Sequence, residues 1–135
     1  MIVVDSNIII YIHVQGEQTA QALQALRKDP SWVAPPLWQS EFRNVMAGYI
    51  RRRILSLEDA KQIVKSALQT MDGRELLPPS DLVLDLVGES DCSAYDCEDV
   101  ALAKHLKVKL VTCDKKVFRS FPEIAMKLDD FIGPA

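Results

Sequence analysis

The sequence predicts an α/β protein whose mostly parallel sheet is covered by helices on both faces. Short apolar runs rich in β-branched residues alternate with longer segments of helical periodicity, and this alternation is typical of βαβ units joined by right-handed crossovers. Residues 1–4 are apolar without alternation, as expected for a strand buried on both faces. With 135 residues, of which 48% are hydrophobic, the chain is long enough for one core and too short for two. We therefore expect a single domain over residues 1–135.

Caps, prolines and apolar spacing predict the elements of the first half. Ser6 and Asn7 offer N-cap chemistry to a following apolar helix. A second helix is stopped by Asp29-Pro30, since the residue before a proline disfavours helical geometry. Pro36 suits the first turn of the next helix, whose apolar residues recur at spacings of three and four. The prediction is a strand at 1–4, helices at 8–12 and 17–28, a strand at 32–34, and a helix from 36 to about 53.

The second half follows the same signals. Ser56 with Glu58-Asp59 opens a helix that ends near Asp72-Gly73. Ser80-Asp81 and Ser93 are the caps of two further helices. The predicted elements are a helix from 56 to about 72, a strand at 75–77, helices from 81 to about 88 and from 94 to about 107, a strand at 109–112, a helix at 115–120 and an edge strand at 125–128.

Composition excludes several classes of protein. No stretch approaches the roughly 20 apolar residues of a membrane span, and Asp5 interrupts the N-terminal apolar run in a way that a signal peptide would not. We expect a soluble cytoplasmic protein with no membrane partner. Its three cysteines show no CxxC spacing and only two histidines are present, so a zinc site is not expected and the thiols are interpreted as small apolar residues in a reducing compartment.

The charge pattern bears on nucleic-acid binding. A net charge of −3 argues against a protein that coats nucleic acid by bulk electrostatics. Basic residues nevertheless cluster at Arg51-Arg52-Arg53 and at Lys115-Lys116. An acidic site with basic rims remains compatible with a nucleic-acid substrate.

Two carboxylates follow predicted strands. Asp5 closes the first strand and Asp114 comes just after the strand at 109–112. Ligands of open α/β sheets collect outside the carboxyl ends of the strands, so the two carboxylates would share one ion if these strands are neighbours. Each residue is equally well explained as a helix cap.

Three further acids lie on predicted helices. Glu41 is at the edge of an apolar stripe, three residues after Trp38, and its alternative role is a border residue paired with Arg43 or Arg53. Asp96 is in a first helical turn, where the helix dipole alone would favour an acid. Asp99 follows one turn later on the same side, whereas Glu98 is expected to face solvent.

Carboxylates without histidine or cysteine favour a hard cation. Mg²⁺ or Mn²⁺ is held by a few carboxylates and several waters, which leaves room for phosphate oxygens. Two such ions can clamp the attacking and leaving oxygens of a phosphodiester. The sequence contains no Walker loop, no GxGxxG motif and no Ser/His/Asp or Cys/His constellation.

Four segments together resemble one known family. Val3-Val4-Asp5-Ser6-Asn7, Ser40-Glu41, Ser93-Ala94-Tyr95-Asp96 with Val100 to Ala103, and Val111-Thr112-Cys113-Asp114-Lys115-Lys116-Val117-Phe118 look like a PIN domain. More narrowly, they are similar to the VapC-like toxins of type II toxin–antitoxin pairs. Each motif is weak alone, but their order and separation are specific, and the resemblance covers essentially the whole chain.

The resemblance implies a three-layer α/β/α fold and a Mg²⁺- or Mn²⁺-dependent endoribonuclease. Asp5, Glu41, Asp96 and Asp114 would be the catalytic, metal-binding quartet, with Asp99 as an additional candidate ligand, because Cys97-Glu98-Asp99 is more acidic than the usual pattern. Ser6, Asn7 or Thr112 would support the quartet. Lys115, Lys116, Arg51 and Arg52 are candidates for contact with the RNA backbone. A metal-activated water would hydrolyse the phosphodiester, and a homodimer and a VapB-like antitoxin would be the protein partners.

The sequence fits other functions less well. A haloacid-dehalogenase-type phosphatase needs a second Asp two residues after the first, where this chain has Asn7, and a response-regulator receiver needs an Asp after a central strand. The main alternative is a non-catalytic PIN-like module that binds RNA or protein, although such proteins usually lose part of the acidic set. A stand-alone nuclease without an antitoxin is a further alternative.

Overall fold

The computed structural model describes residues 1–134. Its elements, in chain order, are strand β1 (Ile2–Val4), helices α1 (Ser6–His13) and α2 (Thr19–Lys28), strand β2 (Trp32–Val33), helices α3 (Trp38–Arg51), α4 (Leu57–Thr70), α5 (Ser80–Gly88) and α6 (Ala94–Leu106), strand β3 (Leu110–Val111), helix α7 (Lys115–Ser120), strand β4 (Ala125–Met126) and helix α8 (Leu128–Ile132). No helix within residues 1–134 is both long and apolar enough to cross a bilayer.

The four strands form one parallel sheet in the order β2-β1-β3-β4. β1 lies at the centre, with Val3 beside Val33 on one side and Leu110 on the other. Parallel strands put all their carboxyl ends at one edge of the sheet, so the residues that follow β1 and β3 are neighbours. The prediction of a mostly parallel sheet is confirmed.

Side chains of each strand alternate between two hydrophobic cores. Ile2 and Val4 pack with residues of α1, α2, α3 and α4, whereas Val3 packs with residues of α5, α6 and α7. All three β1 side chains are at most 4% exposed, which explains why the strand shows no polar alternation in sequence. Helices on both faces of the sheet make the three-layer α/β/α arrangement that the resemblance implies.

Two predicted elements differ from the structure. The strand at 75–77 is reduced to a single bridge, in which Ala34 pairs with Glu75 and the Leu76 N–H donates to the Ala34 carbonyl at 3.1 Å. Pro78 and Pro79 follow at once, and prolines lack the N–H groups that would continue the pairing. The edge strand predicted at 125–128 ends at Met126, and α8 follows it.

Helix α8 was not predicted, because five residues are too few to show helical periodicity. It is held by tertiary contacts with α2. The Lys28 Nζ donates to the Phe131 carbonyl and lies 4.8 Å from the centroid of the Phe131 ring. The other helices match their predictions to within a few residues, and the Ser56 and Ser93 side chains cap α4 and α6 as expected, accepting from Asp59 N at 3.0 Å and from Asp96 N at 3.1 Å.

Candidate functional site

A small pocket of about 60 Å³ opens at the carboxyl edge of the sheet. We call it the carboxylate pocket. Six segments contribute to it, namely the ends of β1 and β3, the starts of α1 and α7, and one face each of α3 and α6. Its lining residues are Asp5, Ser6, Asn7, Glu41, Asp96, Asp99, Thr112, Asp114 and Val117. The structure therefore brings together the predicted quartet, Asp99 and all three supporting residues, while their roles stay a prediction.

Asp5 is fixed by both neighbouring segments. It is the N-cap of α1, where its Oδ1 accepts from the Ile8 N–H at 3.2 Å. Its Oδ2 accepts from the Thr112 hydroxyl and from the Cys113 N–H, the latter at 3.2 Å. Burial raises the pKa of Asp5 despite these hydrogen bonds, which favour the ionised form. Asp5 is thus both a helix cap and a desolvated acid in the pocket.

Asp114 is held in a similar way on the neighbouring strand. It is the N-cap of α7, where its Oδ1 accepts from the backbone N–H groups of Lys116 at 2.9 Å and Val117 at 3.4 Å. The Asp114 N–H in turn donates to the Thr112 Oγ1 at 3.0 Å. Thr112, which is 1% exposed, therefore links Asp5 to the Asp114 backbone through one hydroxyl.

Glu41 enters the pocket from the first turn of α3. Burial raises its pKa, the negative charges of Asp5, Asp96 and Glu98 raise it further, and a hydrogen bond with the Ser6 side chain opposes them. Neither salt bridge found within residues 1–134 involves Glu41, so its alternative role as a border residue paired with Arg43 or Arg53 is not observed there. Arg43 instead donates to the Ser40 Oγ at 3.3 Å. Trp38 and Phe42, whose ring centroids lie 5.8 Å apart, anchor the buried face of α3 beside Glu41.

Asp96 and Asp99 enter from α6, whose start is fixed by the Ser93 cap. Burial raises the pKa of Asp99 well above its ordinary value, and the charges of Asp5, Glu41, Glu98 and Asp96 act in the same direction. The charges of the neighbouring acids thus act on Asp99 in the same direction as burial, as expected for like charges in one pocket.

Glu98 differs from the expectation that it faces solvent. Its side chain is partly buried, burial raises its pKa, and its charge reaches Glu41 and Asp99. It lines a groove with Leu77, Pro78 and Leu84, because α5 and the segment before it cover that side of α6. Helical spacing alone could not predict this neighbour.

The donor set of the carboxylate pocket fits a hard divalent cation. Its candidate ligands are oxygen atoms, and neither of the two salt bridges found within residues 1–134 involves a carboxylate of the pocket. Within residues 1–134, no group of three His, Cys, Asp or Glu side chains is already arranged so that it could hold a metal ion without further ligands. Mg²⁺ usually takes only one or two carboxylates and completes its shell with water and substrate oxygens, so the arrangement is suitable for such an ion.

The predicted RNA-contact residues are divided by the fold. Lys115 and Lys116 begin α7 directly after Asp114, and both are exposed. Arg51 and Arg52 lie at the opposite end of α3 from Glu41, about 15 Å along the helix axis at 1.5 Å per residue. Arg52 instead lies over the Tyr49 ring, with 5.3 Å from its guanidinium carbon to the ring centroid. Only the lysine pair is adjacent to the carboxylate pocket.

One lining residue was missed by the sequence analysis. Val117 is 4% exposed and forms an apolar wall of the carboxylate pocket. The available signal was its place three residues after Asp114, where an N-cap side chain reaches the backbone.

Comparisons with known proteins agree with this fold. The model of the PIN domain family matches residues 2–124. The crystal structure of PAE2754 from Pyrobaculum aerophilum is similar, with a TM-score of 0.77 and 19% identity over 97% of this chain and 92% of that chain. The structure of FitAcB from Neisseria gonorrhoeae has a TM-score of 0.71 and 17% identity, over 95% of this chain and 98% of that one. No curated protein is detectably similar in sequence.

Proposed function

The chain belongs to the PIN domain family, and we propose that it is a Mg²⁺- or Mn²⁺-dependent ribonuclease that hydrolyses RNA phosphodiester bonds in the carboxylate pocket. The members of this family are generally nucleases. The observation that carries the proposal is the convergence of five acids from four segments of the chain into one small pocket. Such an arrangement is unfavourable for folding without a counter-charge, since burial and mutual repulsion oppose ionisation.

In the proposed mechanism, residues of the carboxylate pocket bind and orient the reacting groups. Asp5, Glu41, Asp96 and Asp114 would hold the ion, with Asp99 as a further ligand or as an acid beside it. When bound, a hard divalent ion supplies Lewis-acid polarisation of a phosphate oxygen and lowers the pKa of the attacking water. Thr112 orients Asp5 through its hydroxyl, and Ser6 orients Glu41.

The geometry favours preorganisation of these acids. Asp5 and Asp114 are each fixed by backbone N–H groups at the start of a helix, so both carboxylates keep their positions without the substrate. Val117, which lines the pocket, and the last residues of β1 and β3 are buried. Groups held in place in this way stabilise charge in the transition state without first having to reorganise.

We propose further that the protein is a VapC-like toxin with a VapB-like antitoxin, and that it forms a homodimer. The order of the four motifs supports this. The surface also offers apolar side chains for protein contacts, among them Leu57 at 55% exposure, Leu84 at 65% and Tyr95 at 66%.

The experiment is cleavage of a mixed RNA pool by wild type and by Asp96→Asn, with Mg²⁺ or Mn²⁺ and with an EDTA control. Asp96 is chosen because Asp5 and Asp114 are also helix caps, so their loss would disturb the fold. The matched control is Asp81→Asn, which removes an exposed acid from the first turn of α5 and so reproduces the loss of a favourable helix-dipole interaction.

Cutting that requires the metal, survives Asp81→Asn and is lost in Asp96→Asn supports the proposal. Metal-loaded, folded wild type that binds RNA without cutting it would favour the non-catalytic binding module. Cutting that persists in Asp96→Asn and in EDTA would contradict the assignment of the pocket.

A further inference from the structure

A second pocket of about 400 Å³ lies beside the carboxylate pocket. We call it the flanking pocket. Its main polar and aromatic lining residues are Tyr11, Gln18, Gln21, Lys115, Phe118 and Lys127. Thr112 lines both pockets and donates to Asp5, so the two pockets share this side chain. A molecule held in the flanking pocket would therefore lie beside the carboxylate pocket.

The flanking pocket differs from its neighbour in charge. Lys115 and Lys127 contribute two exposed ammonium groups and Asp129 contributes one carboxylate, so the lining is net positive. The Lys127 Nζ lies 4.9 Å from the centroid of the Phe118 ring, which places a cation and an aromatic surface together. This combination suits an anionic backbone that carries planar groups.

The pocket also presents amide groups that can read a base. Gln18 and Gln21 are on or next to the first turn of α2, and both line the pocket. No donor within residues 1–134 reaches the buried Gln21 Oε1, and an unsatisfied buried acceptor is costly. Rotation of this side chain toward the pocket would present its amide to a ligand and remove that cost. A Gln amide can donate to and accept from one base edge at the same time.

We propose that the flanking pocket is a nucleotide-binding subsite for single-stranded RNA next to the scissile phosphate. Lys115 and Lys127 bind backbone phosphates, Phe118 contacts a base, and Gln21 hydrogen-bonds the edge of that base. Protein recognition of single-stranded RNA commonly combines stacking on aromatic side chains with hydrogen bonds to base edges. The pocket volume lies within the range of roughly 300–1,000 Å³ that is usual for small-ligand sites. The inference rests on the proposed ribonuclease activity and assigns the residues that set its sequence preference.

The test compares two variants with two matched controls in two assays. Lys127→Ala and Gln21→Ala alter the flanking pocket. Lys65→Ala and Gln69→Ala remove the same side chains from the exposed face of α4. The first assay is the base frequency around the cut sites in a randomised RNA pool. The second is the affinity of a fluorescent single-stranded oligoribonucleotide in EDTA, measured across a series of salt concentrations.

The two variants have different expected signatures. Lys127→Ala should weaken binding for all sequences and reduce the slope of log affinity against log salt by about 0.7, the value for one phosphate contact on a single strand. Gln21→Ala should keep that slope but flatten the base preference at one position beside the cut. A purely structural role would change neither the slope nor the preference.

The outcomes separate this inference from the proposed nuclease. If wild type cuts RNA and both variants behave like their controls, the subsite is wrong and the nuclease stands. If wild type does not cut but binds the oligonucleotide, a loss of affinity in Lys127→Ala that is absent in Lys65→Ala keeps the subsite and removes the nuclease. Absence of both cutting and binding would overturn both.

Discussion

The hydroxyl of Thr112 gives the sharpest test of how the carboxylate pocket is built. We consider Thr112→Val, which keeps the shape of the side chain and removes its hydrogen bonds. Thr112 is 1% exposed, donates to Asp5 and accepts from the Asp114 N–H at 3.0 Å. The Thr112 Oγ1 therefore hydrogen-bonds to two of the four proposed ligand residues. Its loss should lower both the stability of the protein and the metal affinity of the site.

The magnitude follows from the two hydrogen bonds. A bond to a charged group contributes about 1.5–3 kcal/mol and a neutral one about 0.5–1.5 kcal/mol. The lower ends apply here, because Asp5 Oδ2 keeps the Cys113 N–H at 3.2 Å and Asp114 is only partly buried, so water can reach its backbone. We expect the free energy of unfolding to fall by about 2 kcal/mol.

The assay is urea unfolding at pH 8 in EDTA, with the free energy obtained by linear extrapolation. The matched control is Thr70→Val on α4, where the hydroxyl donates to the Ser66 carbonyl at 3.1 Å at the surface. We expect that control to change stability by less than about 0.5 kcal/mol.

The pH dependence supplies a second criterion. The Thr112 hydrogen bond lowers the pKa of Asp5 against the effect of burial, so the variant raises that pKa further. In the folded variant, Asp5 then keeps its proton to a higher pH than in folded wild type. The loss of unfolding free energy caused by the substitution therefore grows as pH rises between the two pKa values. A cost equal to that of Thr70→Val, or one that is independent of pH between 4 and 8, would refute the role assigned to Thr112.

Three further predictions concern the cation, the acids and the helix caps. Mg²⁺ or Mn²⁺ at about 100 times its dissociation constant should raise the free energy of unfolding of wild type by about 2.7 kcal/mol in urea. This increase should be much smaller in Asp96→Asn. An equal increase in both proteins would place the ion elsewhere. Without metal, Asp99→Asn should become progressively more stable than wild type as pH rises from 4 to 8. The raised pKa of Asp99 means that folded wild type binds more protons than the unfolded chain and so loses stability with increasing pH. A stability difference that stays constant across this range would contradict the raised pKa of Asp99. Ser93→Ala and Ser56→Ala each remove a helix cap and should each lower the free energy of unfolding by about 1 kcal/mol. Calorimetry should show weaker cation binding only for Ser93→Ala, since α6 carries Asp96 and Asp99. An equal loss of cation affinity in Ser56→Ala would point to a general effect of stability.

Much of the fold was predictable because it depends on local signals. The β1 run, the Ser56 and Ser93 caps and the stop at Pro30 each act within a few residues, and the structure has strands and helices where they indicate. The strand at 75–77 was predicted too long and helix α8 was not predicted, because both depend on residues distant in sequence. The first needs a partner strand to exist, and the second is held by Lys28 from a distant helix.

The candidate site was predictable at the level of its acids. Asp5 and Asp114 follow two parallel strands, whose carboxyl ends must lie at the same edge of the sheet. The spacing of apolar residues indicates that the helix faces carrying Glu41, Asp96 and Asp99 point inward. The half-buried position of Glu98 and the shared pocket of Gln21 and Lys127 were not predictable.

The sequence by itself thus determined the class of fold, the bounds of most elements and which acids point toward an apolar environment, because these depend on backbone preference and on the period of each element. Only the tertiary structure decided the strand order, the sharing of the Thr112 hydroxyl between two acids and the existence of the flanking pocket. The physical reason is that periodicity specifies which face of a helix or strand is buried, but not which other element covers that face. A pocket lined by residues as distant in sequence as Gln21 and Lys127 depends on how all the layers pack together.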